Sequence, residues 1–316
     1  MADKIALLGS GFIGRSWAIG FARAGYEIAL HDPTPGAVGA ALAFIDEMLE
    51  DLAGNDLLGG QSPATVRRRI AAAKDVKSAL DGAVHVQENA PENLPTKIAV
   101  FQEIDALAPP ETVLASSASA ILPSLFTEHL AGRHRCIVAH PVNPPYLIPV
   151  VELVPAPWTS DETVERVRKL MVEAGQVPIM MKREIEGFIV NRLQAALLAE
   201  AFRLMGEGYA STQAVDDAVR HGLGLRWSFM GPFETIDLNS PGGVGEYIDR
   251  YEALFKSLWK SQLHDIAWGG PVRAQALSER DAKLPRAKLL DRQKWRDRRL
   301  MALAAHKRKA SKDIGD

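Results

Sequence analysis

Two groups of residues in this chain have the types and spacing to do chemistry together. Gly9-Ser10-Gly11-Phe12-Ile13-Gly14 follows the apolar run Ile5-Ala6-Leu7-Leu8 and opens a helical stretch. In that setting a G-x-G-x-x-G string reads as a dinucleotide turn. Gly9 permits the tight bend, Gly11 lets backbone approach a pyrophosphate, and Gly14 allows close packing of helix on strand. Phe12 and Ile13 fill the variable positions, and the free N–H groups of the first helical turn would hold the phosphates. Asp32, eighteen residues past Gly14, ends the next strand-like run. A carboxylate there accepts hydrogen bonds from ribose hydroxyls and repels a 2′-phosphate. No Lys or Arg follows in Pro33-Thr34-Pro35-Gly36, so NAD is expected rather than NADP.

The second group lies further along. Oxidising a secondary alcohol by hydride transfer requires a base for the hydroxyl proton. Free imidazole titrates near neutrality, which suits reversible proton transfer. His140, in Ala139-His140-Pro141-Val142-Asn143-Pro144-Pro145, ends an apolar strand-like run, and open α/β sheets bind ligands at the carboxyl ends of their strands. Glu152 sits inside Val150-Val151-Glu152-Leu153-Val154. A carboxylate in such a run is costly unless paired, and pairing with His140 would fix the ring's tautomer. Ser116, Ser117 and Ser119 cluster after another strand. Their hydroxyls could fix a substrate oxygen or serve an ordinary turn, and residue types alone do not choose among the three.

The elements that must position these groups alternate. Strand-like runs fall at 5–8, 27–31, 84–87, 112–116, 136–140, 150–154 and 177–181. Helical stretches fall at 13–24, closed by Gly25, and around 93–108 and 123–131. Another follows the Thr159-Ser160-Asp161-Glu162 capping pattern. This order predicts an α/β fold, a Rossmann-type doubly wound parallel sheet with helices on both faces. After about residue 185 helical patterns dominate, beginning with Phe188–Met205. The expected division is 1–186 for NAD binding and 187–316 for a mostly α-helical domain.

The formal net charge of −2 argues against nucleic-acid binding by the molecule as a whole. Residues 283–312 are the exception, with twelve Lys/Arg against Asp291 and Asp297. They predict either a solvated helix face or docking onto an acidic surface of the same chain or of a partner. The single cysteine, Cys136, lies in an apolar run and reads as a core residue. An intrachain disulfide is impossible, consistent with a cytoplasmic protein. No apolar run is long enough to span a membrane, and Met1-Ala2-Asp3-Lys4 enters a strand with no basic leader.

Together the motifs resemble the 3-hydroxyacyl-CoA dehydrogenase family, in particular its lambda-crystallin branch, whose activity is L-gulonate 3-dehydrogenase. The phrases that carry the resemblance run from Leu8 through Gly14, then Ser116-Ser117-Ala118-Ser119 and His140 through Pro145. Gly187-Phe188-Ile189-Val190-Asn191-Arg192 and Gly231-Pro232-Phe233-Glu234 complete the set. The resemblance covers residues 1 to about 260. It implies that Ser119 holds the substrate oxygen, His140 is the acid/base, Glu152 its partner, and Asn191 a polar contact at the reacting centre. It makes Glu92 and Lys97 cofactor-side residues and lets Asn143 support the same site. It also implies a homodimer formed through the helical domain, and a small hydroxy acid entering between the domains.

Acyl-CoA members carry basic and polar residues for the nucleotide of CoA, and residues 53–69 hold no convincing equivalent, despite Arg67-Arg68-Arg69. The stretch Gly222–Phe229 resembles the lambda-crystallin branch instead. There Arg226 is expected to grip the substrate carboxylate, as a planar guanidinium does. A free 3-hydroxy acid such as L-gulonate is therefore expected. 3-Hydroxybutyryl-CoA and carnitine are the alternatives, with Trp227 and Phe233 leaving a cage for a quaternary ammonium open. A non-catalytic, NAD-binding crystallin-like protein is the alternative of another class, against which the intact Ser119, His140, Glu152 and Asn191 set argues.

Overall fold

The structure, a computed structural model, describes residues 2–262 and 269–315. Its strands are β1 (Lys4–Leu8), β2 (Glu27–His31), β3 (Ile70–Ala72), β4 (Ala83–Glu88), β5 (Val113–Ser116), β6 (Cys136–Pro141), β7 (Val150–Pro155) and β8 (Val177–Met180). They form one sheet in the order β3-β2-β1-β4-β5-β6-β7-β8. The first six reproduce the dinucleotide-binding order, whose reversal falls between β1 and β4.

Pairing is parallel except between β6 and β7. A wholly parallel sheet was expected, and chain length explains the difference. Only residues 142–149 separate β6 from β7, too few for the dozen or so residues a parallel crossover needs.

Strand periodicity sorts the core onto the two faces of the sheet. Ile5 and Leu7 of β1 join one apolar cluster with Trp17, Phe21, Ile45 and Leu49. Ala6 and Leu8 join the other with Phe101, Ile104, Phe126 and Phe188. The faces are covered by α1 (Phe12–Ala24), α2 (Ala37–Gly54), α3 (Pro63–Arg67), α4 (Val76–Leu80), α5 (Leu94–Leu107), α6 (Pro123–Thr127) and α7 (Asp161–Glu173). Helix α1 ends where expected, at Gly25 in a left-handed conformation (φ 106°). Ser160 caps α7 by accepting from the Thr163 N–H. Cys136 is fully buried, and burial pushes its thiol up to about 12, so it is a core residue.

Beyond β8 lie α8 (Val190–Gly206), α9 (Thr212–Ala218), α10 (Gly224–Trp227), α11 (Pro232–Asp237), α12 (Gly243–Gln262), α13 (Gly270–Lys283) and α14 (Leu289–Ile314). The chain divides into two compact units. One comprises the residues up to Asn191 together with Arg296–His306, the other Arg192–Trp295 and the residues from Lys307. The middle of α14 thus belongs to the sheet-bearing unit. There Met301 is fully buried in the first cluster, and Asp297 accepts a hydrogen bond from the Tyr146 hydroxyl at 3.1 Å. Arg298 reaches Asp51 at 2.9 Å and Glu47 at 3.8 Å. Part of the basic stretch therefore docks onto acids of α2 in the same chain. In the second unit, Glu279 of α13 accepts from both the N–H and the hydroxyl of Thr212.

Candidate active site

The glycine turn comes first because β1 delivers it to the carboxyl edge of the sheet. Gly9 has φ 92°, a left-handed value that favours glycine. A Cβ on Gly9 would stand 2.8 Å from the Asn89 carbonyl oxygen, and one on Gly14 would stand 1.9 Å from the Gly9 carbonyl oxygen. A Cβ on Gly11 would meet nothing within 4 Å, because that face is open. Beside it lies a cavity of about 780 Å³ lined by Gly9, Gly11, Asp32, Thr34, Asn89 and Val76, among others. A dinucleotide fits these observations: a constrained turn, an open backbone at the start of α1, and room for an adenosine. Phe12 is exposed on the first turn of α1, and Ile13 is half-buried against the first cluster.

Asp32 follows β2, where His31 pairs with Leu8. Its carboxylate accepts from the Ser10 N–H at 2.8 Å, the Ser10 hydroxyl at 3.0 Å and the Thr34 N–H at 2.9 Å. Partial burial opposes ionisation, but these donors outweigh it and hold the carboxyl below its usual range. It therefore stays charged at the end of the cavity, as discrimination against a 2′-phosphate requires.

The acid/base pair comes from the antiparallel turn-back. His140 of β6 stands opposite Glu152 of β7 in register, which brings His140 Nδ1 to 2.7 Å from Glu152 Oε2. Glu152 is fully buried and His140 is 6% exposed. The other carboxylate oxygen, Oε1, accepts from the N–H groups of Ile189 (2.7 Å) and Val190 (2.9 Å) at the start of α8. Burial raises the Glu152 carboxyl, but the bonds from His140, Val190 and Ile189 overcome it and leave the group below its usual range. An ionised carboxylate only accepts, so Nδ1 carries a proton and, in the neutral ring, Nε2 presents the lone pair.

The two N–H groups reach Glu152 through an unusual turn. Gly187 (φ 76°) and Phe188 (φ 52°) are both left-handed, and for Phe188 that costs about 1–3 kcal/mol. Burial of its ring, 5.4 Å centroid to centroid from His140, compensates.

A second cluster surrounds Ser119. Glu92 Oε1 accepts from the N–H groups of Ser119 (2.8 Å), Ala120 (3.0 Å) and Ile121 (3.3 Å). The Asn191 side-chain amide donates to the Ser119 carbonyl at 2.7 Å. The backbone of Ser119 is thus held from both sides while its hydroxyl stays exposed and unpaired among the described residues. Lys97 is buried beside this loop. Its ammonium contacts both oxygens of Glu88 (2.9 and 3.0 Å) and the Ala90 carbonyl, with Glu92 Oε2 at 3.9 Å.

Sequence reasoning passed over much of the support. Gln87 and Glu88 end β4 and Asn89 follows, three consecutive polar residues of which the first two are fully buried. Glu88 also accepts from the Ser116 hydroxyl at 2.6 Å, so among the three serines Ser116 is structural. The available signal was the cost of ending an apolar strand with unpaired polar groups.

Two further expected residues are Asn143 and Arg226. Asn143 is exposed on the connection between β6 and β7. Arg226 belongs to the second unit, where its guanidinium lies 3.5 Å from Asn239 Oδ1. Among the described residues no group of three His, Cys, Asp or Glu could hold a metal, and no helix is long and apolar enough to cross a membrane.

A glycine turn at the sheet reversal beside a buried His–Glu pair defines a dinucleotide-dependent dehydrogenase. Residues 4–185 match the family described as 3-hydroxyacyl-CoA dehydrogenase, NAD binding domain, and residues 187–265 match its C-terminal domain. The chain belongs to the 3-hydroxyacyl-CoA dehydrogenase family and is an NAD-dependent oxidoreductase acting on CH–OH groups. It is 40% identical to lambda-crystallin of Oryctolagus cuniculus, over 97% of each chain. It is 36% identical to an L-carnitine dehydrogenase of Pseudomonas sp, over 80% of this chain and 78% of that one. The solved structure of FHMPC 5-dehydrogenase, described as an NAD+-dependent dismutase, superposes with a TM-score of 0.81 at 26% identity, covering 96% of this chain and 97% of that one.

Proposed function

We propose that the protein oxidises the 3-hydroxyl of a small free hydroxy acid, with L-gulonate as the substrate, and that His140 is the base. The observation that carries this reading is the 2.7 Å His140–Glu152 pair on facing strands. Because Nδ1–H is committed to Glu152, the Nε2 lone pair takes the hydroxyl proton. Glu152 stabilises the resulting imidazolium and holds the ring's orientation. NAD held by the turn of Gly9 and Gly11 and by Asp32 would supply the hydride acceptor.

Ser119 presents its free hydroxyl to the substrate oxygen, and Asn191 adds a polar contact while fixing the Ser119 backbone. Glu92 and Lys97 act on the coenzyme side through the loop they hold in place, and Asn143 supports the same site. Arg226 takes the substrate carboxylate in a bidentate grip. Similarity to L-carnitine dehydrogenase, named for a free hydroxy acid, supports a substrate without CoA.

Carnitine is the second reading, favoured by the similarity to L-carnitine dehydrogenase. The exposed rings of Trp227 and Phe233 are the groups that would face its quaternary ammonium.

The functional domains are 1–186 and 187–316, and two copies associate through the helical one in the cytoplasm. Helix α12 supports the association. Among the described residues it buries none of its own, and it exposes Ile248, Leu254, Leu258 and Trp259. These exposed apolar side chains support a contact with a partner copy.

The test is NADH production with L-gulonate, carnitine, 3-hydroxybutyrate and its CoA thioester, repeated with Arg226→Ala. L-Gulonate should be oxidised with the highest kcat/KM, and Arg226→Ala should raise its KM. Preference for the thioester, or an unchanged KM, would refute the free-acid assignment. Sedimentation of the pure protein tests the dimer.

A further inference from the structure

On the sheet edge opposite the glycine turn, at the amino ends of β1, β4 and β5, lies a pocket of about 340 Å³. Asp3, Tyr26, His85, Arg166, Lys169 and Glu173 supply its polar lining. Three of these groups are engaged with one another: Glu173 accepts from the Tyr26 hydroxyl at 2.7 Å and lies 4.0 Å from Lys169 Nζ. Arg166 has no ion-pair or side-chain hydrogen-bond partner among the described residues. His85 is 1% exposed, and its Nδ1 has no partner either.

The unpartnered nitrogen has a defined chemistry. Gln87 donates through its amide nitrogen to the Ser117 hydroxyl (2.7 Å) and to the Ala139 carbonyl (3.1 Å). Its oxygen therefore faces His85 Nε2, at 3.1 Å, and must accept. Nε2 carries the proton and Nδ1 is a bare acceptor. Whatever completes the site brings an O–H or N–H to His85, and the free guanidinium of Arg166 favours negative charge on the same molecule.

We propose that this pocket binds a small oxyanion that carries its own hydroxyl, the anion pairing with Arg166 and the hydroxyl donating to His85 Nδ1. Hydrogen phosphate is the simplest such ion, and a short hydroxy acid has the same pair of groups.

The pocket is wired to the coenzyme site. The chain runs from His85 to Gln87 to Ser117, whose hydroxyl donates to Asn89 Oδ1 at 2.8 Å and accepts from the Trp17 indole at 3.1 Å. The Asn89 carbonyl is what a Cβ at Gly9 would strike, and the Asn89 side-chain amide stands at contact distance, 3.4 Å, from where a Cβ at Gly14 would be. A ligand that reorients His85 acts on the glycine turn through four hydrogen-bonded side chains, and any effect on NAD affinity is returned equally on the ligand.

The test uses the full chain saturated with NAD, which occupies the pyrophosphate site. Side-chain 15N spectra follow His85 Nδ1 during titration with inorganic phosphate, with lactate, and with sulfate, which lacks a hydroxyl at neutral pH. Phosphate, lactate or both should shift the Nδ1 signal saturably toward its hydrogen-bonded position, and sulfate should not. A phosphate-only or lactate-only response identifies the source of the oxyanion. Arg166→Gln, a change on the surface of α7, should weaken the effective ligand roughly tenfold or more. Absence of a saturable shift with either ligand, an equal response to sulfate, or unchanged affinity in Arg166→Gln would overturn the proposal.

Discussion

His140 and Glu152 face each other across the one antiparallel pair of the sheet, and their contact exists because the chain turns back within eight residues after β6. Had β7 run parallel, its residues would have come from beyond a crossover helix, and no carboxylate would meet Nδ1 at this height. The same carboxylate holds the first N–H groups of α8, so it orients the base and anchors the helix bearing Asn191. Replacing it by an amide keeps the size but not the charge. Glu152→Gln should lower kcat roughly 100-fold or more while NAD affinity stays within about twofold, because the glycine turn is untouched. Steady-state kinetics and NADH fluorescence titration check both numbers.

Asp32 should set the coenzyme preference. Its ionised carboxylate is the group that ribose hydroxyls would meet at the end of the cavity. Loss of charge-assisted bonds of about 1.5–3 kcal/mol means that Asp32→Ala should weaken NAD roughly 10- to 100-fold. NADP use should rise relative to NAD. Equal loss with both coenzymes would remove Asp32 from the discrimination.

The acid limb of stability should carry the signature of His85. Burial holds this imidazole neutral, with its value lowered from 6.5 to about 4 against a smaller opposing effect from the Gln87 bond. Above 6.5 neither folded nor unfolded chain binds the proton, so stability is full. Between 6.5 and about 4 only the unfolded chain binds it, and stability falls by about 1.4 kcal/mol per pH unit. Below about 4 this contribution stops changing. Glu152 and Asp32, lowered in the folded state, add losses only below the ordinary carboxylate range. Urea denaturation across the interval should show the slope in the wild type and less of it in His85→Gln.

The docked middle of α14 should matter through packing rather than charge. Met301→Ala opens a cavity in the first cluster and should cost about 2–5 kcal/mol. Arg298→Ala removes a half-exposed ion pair with Asp51 and should cost less than about 1 kcal/mol. Denaturant midpoints for the two variants separate these effects.

Legibility followed the range of the forces involved. The β1 turn, α1 with its Gly25 end, Asp32 and the strand bearing His140 were readable because each rests on local residue patterns. Glu152 was readable because a carboxylate inside an apolar run demands a partner. The edge strand β3, three residues long with two of them exposed, has no periodicity to detect. The reversed direction of β7 depends on counting the connection, and the return of α14 depends on a contact between Asn55 and Met301, 246 residues apart. The hydrogen-bonded set of Trp17, Gln87, Asn89 and Ser117 joins three separate segments that no spacing rule links.

The most direct test of the central claim pairs turnover with coenzyme binding in one variant, His140→Ala. NAD affinity should stay close to wild type and kcat should fall roughly 100- to 10,000-fold, because only the proton acceptor is gone. Turnover near the wild-type value with intact NAD binding would show that another group takes the proton, and the dyad would lose its assigned role.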